Sequence, residues 1–190
     1  HYCDLAGEAQ WIRKMIDLYH EEAKNNQVKI VNSCGFDSIP SDLGVYFIHK
    51  NISSKNLTIK MRVRGAKGTY SGGTYASMKN IIKEASSNRE VRKSLTNPYG
   101  LNPVGEQSGL DKRDLTSVVY DEKIKNWISP FLMAGINTKI VRRSNALSNY
   151  HYGKDFKYDE AVMAGKGFKG RLNGIILSIP LIFLAAKPGS

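Results

Sequence analysis

Apolar side chains recur at helical spacing between Gln10 and Asn25, where Trp11, Ile12, Met15, Ile16 and Tyr19 form one stripe and Glu21, Glu22 and Lys24 gather near the exposed end. This pattern predicts an amphipathic helix. On either side run two short stretches, Tyr2 to Leu5 and Val28 to Ser33, the second rich in β-branched residues. A strand, helix, strand order predicts a right-handed crossover at the edge of a parallel sheet. Leu43 to Ile48 follows as a run apolar enough for a buried helix.

From Leu57 onward the pattern changes to alternating strands and helices with longer insertions, which places a domain transition near Ile48 to Lys55. In Ile59-Lys60-Met61-Arg62-Val63-Arg64 apolar and cationic residues alternate, the period of a half-buried strand with one solvated face. Thr74 to Ser86 predicts a helix turning Tyr75, Met78, Ile81, Ile82 and Ala85 toward a core, with a shorter helix from Asn88 to Leu95. Further on, Thr116 to Asp121 predicts a strand and Ile136 to Leu147 a basic helix. A last strand, Asp155 to Met163, sets Phe156, Tyr158 and Val162 on one face. No internal repeat is present.

Two segments leave alternatives open. Thr96 to Asp114 contains Pro98, Gly100, Pro103, Gly105 and Gly109, so it reads as a long loop that is either mobile, a cover over a ligand, or surface padding. The apolar stretch from Gly174 to Ala186 is shorter than the roughly 20 residues that span a bilayer, and Pro180 interrupts it. Burial in the domain, in a subunit interface or in the remainder of a longer molecule would account for it, as would peripheral lipid contact.

Composition sets outer bounds. A chain of 190 residues with 41% hydrophobic residues can bury one large domain, or one domain and part of another. Its 28 Lys and Arg against 17 Asp and Glu give a net charge of +11, which favours acidic partners. Scattered placement of the cations argues for solvated faces rather than a nucleic-acid surface. Cys3 and Cys34 are too few and too isolated for a disulfide framework or a zinc cage, so no metal is expected. With no secretory signal visible, a cytoplasmic location is expected, with membrane or lipid association as the variant suggested by the apolar tail.

The most informative stretch for chemistry is Ser33-Cys34-Gly35-Phe36-Asp37-Ser38-Ile39-Pro40-Ser41-Asp42, a strand end, a polar turn and a helix start. α/β proteins place ligands at such turns. Ser38 fits an N-cap, Pro40 the first helical position, and Asp42 adds negative charge to the first turn. Capping alone would also explain these residues. Cys34 lies before a helix start, where a thiolate is favoured. No histidine nearby in sequence carries an orienting signature, so a structural thiol is the simpler reading. His151, between Tyr150 and Tyr152, fits either a proton donor or an aromatic packing position.

Four motifs together resemble the saccharopine dehydrogenase-like oxidoreductases, and among them the trans-acting enoyl reductase branch. They are Tyr2-Cys3-Asp4-Leu5-Ala6-Gly7-Glu8, the turn just described, Ser71-Gly72-Gly73-Thr74-Tyr75-Ala76-Ser77, and Ile136-Asn137-Thr138-Lys139-Ile140-Val141-Arg142-Arg143-Ser144-Asn145-Ala146-Leu147. The resemblance implies an α/β fold: the closing part of a Rossmann-like parallel sheet in residues 1–50, then a second α/β domain, 51–190, with a mixed sheet flanked by helices. It also implies NAD or NADP as cofactor and hydride transfer to a substrate carbon, with an enoyl group on a lipid or polyketide chain as the candidate.

No G-x-G-x-x-G occurs in these 190 residues. Gly68-Thr69-Tyr70-Ser71-Gly72-Gly73-Thr74 has the wrong spacing and instead predicts a sharp turn before a helix capped by Thr74. The chain therefore reads as a piece of a larger enzyme whose start would carry the cofactor's phosphates, inactive by itself. Within it Asp4, Gly7, Glu8, Cys34 and Gly35 are the expected cofactor contacts, and Phe36, Asp37 and Ser38 the expected substrate contacts. The resemblance points to a small-molecule or carrier-bound acyl substrate and a homodimer formed through the second domain. The alternative is a non-catalytic dimerisation, carrier-protein or lipid-docking domain.

Overall fold

The structure, a computed structural model, describes residues 1–36, 38–52, 57–65 and 72–186, with the backbone alone for Thr74, Tyr75, Met78 and 180–186. It begins with β1 (Tyr2–Cys3), α1 (Ala9–Asn25) and β2 (Ile30–Val31), and the two strands pair in parallel with Tyr2 opposite Ile30. The predicted strand, helix, strand order and parallel pairing are both present. Helix α2 (Ile39–Asn51) leads to β3 (Thr58–Val63), α3 (Gly72–Ser87) and α4 (Arg89–Thr96). The remainder is β4 (Val119–Asp121), β5 (Asn126–Pro130), α5 (Ala134–Leu147), β6 (Lys157–Gly165) and α6 (Gly167–Ala186). The chain is thus α/β, with a parallel two-stranded sheet and a mixed four-stranded sheet flanked by helices.

The larger sheet runs β3-β6-β5-β4, with β3 parallel to β6 and the other pairs antiparallel. Its register explains the alternation in β3. Ile59 and Met61 share the face of Tyr158 and Glu160, whereas Lys60 and Arg62 share the face of Asp159. On that second face Arg62 bonds Asp121 at 3.1 Å and also pairs with Asp159, and Lys60 bonds Asp121 at 3.3 Å. Burial pushes the Asp121 carboxyl up, but these bonds outweigh it and hold it below its ordinary range.

Among the described residues two clusters form the core, and each draws on both sides of residue 50. Val45 of α2 packs with Val141, Tyr152, Phe156 and Tyr158. Ala9 and Ile12 of α1 pack with Leu101 and Ile136.

Several expectations need correcting. Of the α1 stripe only Ile12 is fully buried, while Trp11 and Tyr19 are exposed. Leu43, Tyr46 and Phe47 point outward, because α2 presents Ser41 and Val45 to its neighbours. α3 starts at Gly72, so Thr74 lies inside the helix rather than capping it; Ile81, Ile82 and Ala85 are half-buried, and the side chains of Tyr75 and Met78 lie outside the description. Asn88 caps α4, accepting from the N–H groups of Glu90 and Val91. β5 has no counterpart in the sequence reading. Its hairpin turn uses Lys125 at φ 49° where a glycine or asparagine would have announced it.

The loop through residues 97–114 is anchored to the core rather than being surface padding. Leu101 and Asn102 are buried, and Arg142 of α5 donates two bonds to Asp111, at 3.0 and 2.8 Å. Its guanidinium also donates to the carbonyls of Pro98, Lys112 and Tyr158. The predicted basic helix therefore buries part of its charge: Lys139 and Arg142 are both almost fully enclosed.

Candidate functional site

The site begins where β1 and β2 end. The Cys34 N–H donates to the Asp4 carbonyl at 2.8 Å, extending the parallel pair past its last ladder position. Asp4 Oδ1 accepts from the N–H of Ala6 at 2.9 Å and of Ser33 at 3.2 Å, and Oδ2 from Asn32 Nδ2 at 2.6 Å. Ser33, at φ 59°, donates its hydroxyl to the Ala6 carbonyl at 2.6 Å. Asp4 thus ties the two strand ends together, and its carboxylate is occupied by that task.

The other predicted contacts divide around this edge. Gly7 has open space where a Cβ would stand. Glu8 precedes α1; its carboxylate accepts from the Gly7 N–H at 3.1 Å and from the Ser77 hydroxyl of α3. Cys34 donates its thiol to the Val31 carbonyl at 3.3 Å, and burial together with the neighbouring Cys3 pushes that thiol up. The Gly35 carbonyl receives the N–H of Ser38 and of Ile39, closing the turn. Phe36 stands out at its tip, 88% exposed. Asp37 lies outside the described residues.

Ser38 occupies the N-cap position of α2 but makes no side-chain cap bond. Its hydroxyl instead donates to Asn137 Oδ1 at 2.8 Å, deep between α2 and α5. Asn137 Nδ2 donates to Ser41 Oγ at 3.2 Å and to Glu160 Oε2 at 3.0 Å, and the Tyr158 hydroxyl donates to Glu160 Oε1 at 2.7 Å. Glu160 is 1% exposed. Burial pushes its carboxyl up from the usual range, opposed by the bonds from Ser41, Tyr158 and Asn137. The Tyr158 hydroxyl is raised too, by burial and by Glu160. This buried polar cluster fixes the turn to α5 and β6.

Sequence reasoning missed the cluster as a unit. Nothing local in the Ile136 to Leu147 motif marks Asn137 for a role, whereas Glu160 has a readable signal. The period-two face Phe156, Tyr158, Glu160, Val162 sets one carboxylate among apolar positions.

An open groove of about 590 Å³ adjoins the turn. Its walls include Trp11, Met15 and Tyr19 of α1, Ile30 of β2, and Ile140 and Leu147 of α5. Ser33, Ser38 and Asp42 also line it, a polar patch among apolar walls. Burial pushes the Asp42 carboxyl up, partly offset by a bond with Ser144. Arg143, which also lines the groove, is lowered to about 10 by burial and by Arg13, and so stays charged near neutrality. Chemically, the arrangement offers an apolar bed, a few polar groups, and an exposed aromatic beside a glycine-lined strand edge.

Among the described residues no three His, Cys, Asp or Glu side chains are grouped to hold a metal ion, and no helix is long and apolar enough to cross a membrane. No protein-family model and no solved structure matches the chain. Curated relatives do. A putative trans-acting enoyl reductase of Mycobacterium tuberculosis (strain ATCC 25618 / H37Rv) is 41% identical over 175 residues, covering 86% of this chain. Trans-acting enoyl reductases of Mycobacterium bovis (strain BCG / Pasteur 1173P2) and Mycobacterium ulcerans (strain Agy99) are 36% and 35% identical over 180 and 185 residues, covering 87% and 88% of it. The chain spans 42%, 42% and 43% of the length of these three relatives. Over most of its own length, it is homologous to part of proteins named trans-acting enoyl reductase.

Proposed function

We propose that this chain forms the substrate-facing part of an NAD(P)-dependent enoyl reductase of the saccharopine dehydrogenase-like kind, acting on a small-molecule or carrier-bound acyl chain. The observation that carries the reading is the 41% identity over 175 residues to a protein named putative trans-acting enoyl reductase. The groove agrees with it: apolar walls suit an acyl chain, and the polar patch at Ser33, Ser38 and Asp42 suits the functional group of that chain.

A bound nicotinamide would supply the hydride in such a reaction. The strand edge fits a flat ring better than it fits phosphates. Gly7 leaves open space and Phe36 offers an exposed aromatic face, whereas the Cys34 N–H and the Gly7 N–H are already bonded within the chain. Asp4 and Cys34 then set the spacing of the two strand ends, Glu8 holds the α1 start to α3, Gly35 stays with the cofactor contacts, and Phe36 and Ser38 border the substrate. Ser38 is held by Asn137, so its position is fixed before a ligand arrives. In this reading residues 1–50 close a Rossmann-like sheet and 51–190 form the second domain.

The test is a chimera in which this chain replaces the matching segment of the Mycobacterium tuberculosis relative. The reading expects NADPH oxidation dependent on an enoyl substrate, reduced by Phe36→Ala in a protein that melts normally. A folded chimera that leaves NADPH unconsumed with every enoyl substrate accepted by the parent rejects it.

A further inference from the structure

Helix α6 is built the opposite way from an ordinary surface helix. Between Gly167 and Ile179 its buried positions are Gly170, Gly174 and Ser178, four residues apart on one stripe. A Cβ on Gly170 would lie 2.2 Å from the Gly165 backbone, and one on Gly174 would lie 2.7 Å from a Val118 methyl. The Ser129 hydroxyl donates to the Gly174 carbonyl at 3.0 Å. Small residues let the helix sit directly on β5 and β6, so its large side chains have nowhere to go but outward.

Those large side chains are apolar. Phe168, Leu172, Ile175, Ile176 and Ile179 recur at i, i+4, i+7, i+8 and i+11, one face about 100° wide. All are exposed, Phe168 at 79%. A globular surface helix carries polar residues there. A contiguous apolar stripe of this kind marks a contact surface.

Charge identifies the occupant. Lys169 and Arg171 flank the stripe on its two sides, and Lys166 precedes the helix, all three exposed. The Arg171 guanidinium lies 5.5 Å from the centre of the Trp127 ring. The β4–β5 turn adds exposed Lys123 and Lys125 at the same end of the sheet, because Asn126 Oδ1 accepts from the Gly165 N–H at 2.9 Å. Five cations thus gather around the start of the apolar face, with Glu122 as the anion among them, in a chain of net charge +11. A second copy would bring like charge to like charge, whereas an anionic lipid surface complements both features: acyl chains for the stripe and head-group phosphates for the cations.

We propose that α6 lies flat on anionic membrane, its Phe168 to Ile179 face in the head-group and acyl boundary and the surrounding lysines and Arg171 on lipid phosphates. This stands independently of the reductase reading. The test is co-sedimentation of the 190-residue protein with vesicles of phosphatidylcholine alone and of equal parts phosphatidylcholine and phosphatidylglycerol, at low and high salt. The expected result is binding to the anionic vesicles at least about tenfold tighter than to the neutral ones and weakened by salt.

Leu172→Asp with Ile176→Asp should lower that binding at least about tenfold while the melting temperature holds, since both side chains are exposed. Lys166→Glu with Lys169→Glu, which leaves the apolar face intact, should remove most of the preference for anionic lipid. Equal binding to both vesicle types, or undiminished binding by the Leu172→Asp and Ile176→Asp protein, would overturn the proposal. So would a doubled mass in light scattering, lost in that same variant, with no vesicle binding; that result would seat a second copy on the face.

Discussion

Replacing Arg142 by methionine keeps most of the side chain's apolar bulk and removes the guanidinium that holds residues 97–114 to α5. The Arg142 and Asp111 side chains are 2% and 6% exposed, and two guanidinium nitrogens, Nε and Nη2, converge on the single oxygen Oδ2. Without the cation, Asp111 remains buried with the Tyr158 N–H at 3.0 Å on its Oδ2, and the carbonyls of Pro98, Lys112 and Tyr158 each lose a donor. Breaking a buried ion pair from one side costs about 3–5 kcal/mol, a large share of the roughly 5–15 kcal/mol that stabilises an ordinary domain. At a urea slope of about 2 kcal/mol per molar, the unfolding midpoint should fall by about 2 M. Adding Asp111→Asn should recover part of the loss, because it removes the stranded charge, and the double-mutant cycle should show coupling above about 1 kcal/mol. Trypsin supplies a local readout, since Lys112 and Arg113 are exposed in the anchored loop; Arg142→Met should cut there faster than the parent. A cost below about 1 kcal/mol with unchanged cleavage would refute the claim that Arg142 anchors the loop.

Other outcomes follow from the same contacts. Ser38→Ala should destabilise by about 1–3 kcal/mol, as a buried Asn137 acceptor loses its hydroxyl, and Ser38→Gly should not recover it as a backbone cap would; urea unfolding of the two variants is the check. Because the folded-state pKa of Glu160 is raised, the folded chain keeps the proton that the unfolded chain releases. Stability should therefore decline as pH rises above the unfolded value of about 4.5, by up to about 1.4 kcal/mol per pH unit, until the folded group ionises. Glu160→Gln should flatten that component in unfolding curves collected across pH. Gly170→Ala should lower the melting temperature sharply, since its Cβ would meet rigid backbone at 2.2 Å, whereas Gly7→Ala, with nothing within 4 Å, should melt like the parent.

Legibility in the sequence followed how local each cause is. The crossover from β1 through α1 to β2 and the alternation in β3 were readable because one period dictates one exposed and one buried set. The Phe156 and Tyr158 face was readable for the same reason. What escaped depends on partners distant in sequence. Ser38 looks like a cap until Asn137, 99 residues away, offers a buried acceptor. The Pro- and Gly-rich loop looks loose until Arg142 reaches Asp111, 31 residues away. α2 looks buried because its composition is apolar, yet Ser41 and Val45 face the core and Phe47 faces outward. In α6 the apolar composition was visible, but that the small stripe of Gly170, Gly174 and Ser178, not the apolar one, meets the sheet turns on close packing such as that of Gly170 against Gly165. At the candidate site the turn and its strand-end position were legible, while the cluster of Asn137, Tyr158 and Glu160 that fixes it was not.

The proposed presentation of an enoyl substrate to a nicotinamide at the β1–β2 edge is open to an isotopic measurement. The chimera with the Mycobacterium tuberculosis relative is supplied with NADPH carrying deuterium at the transferable position of the nicotinamide, and the product of a single turnover is analysed by mass spectrometry. The expected result is a saturated acyl product bearing one deuterium on carbon, formed more slowly by the folded Phe36→Ala protein. A folded chimera that returns the enoyl substrate unchanged, or a saturated product free of deuterium, would contradict it.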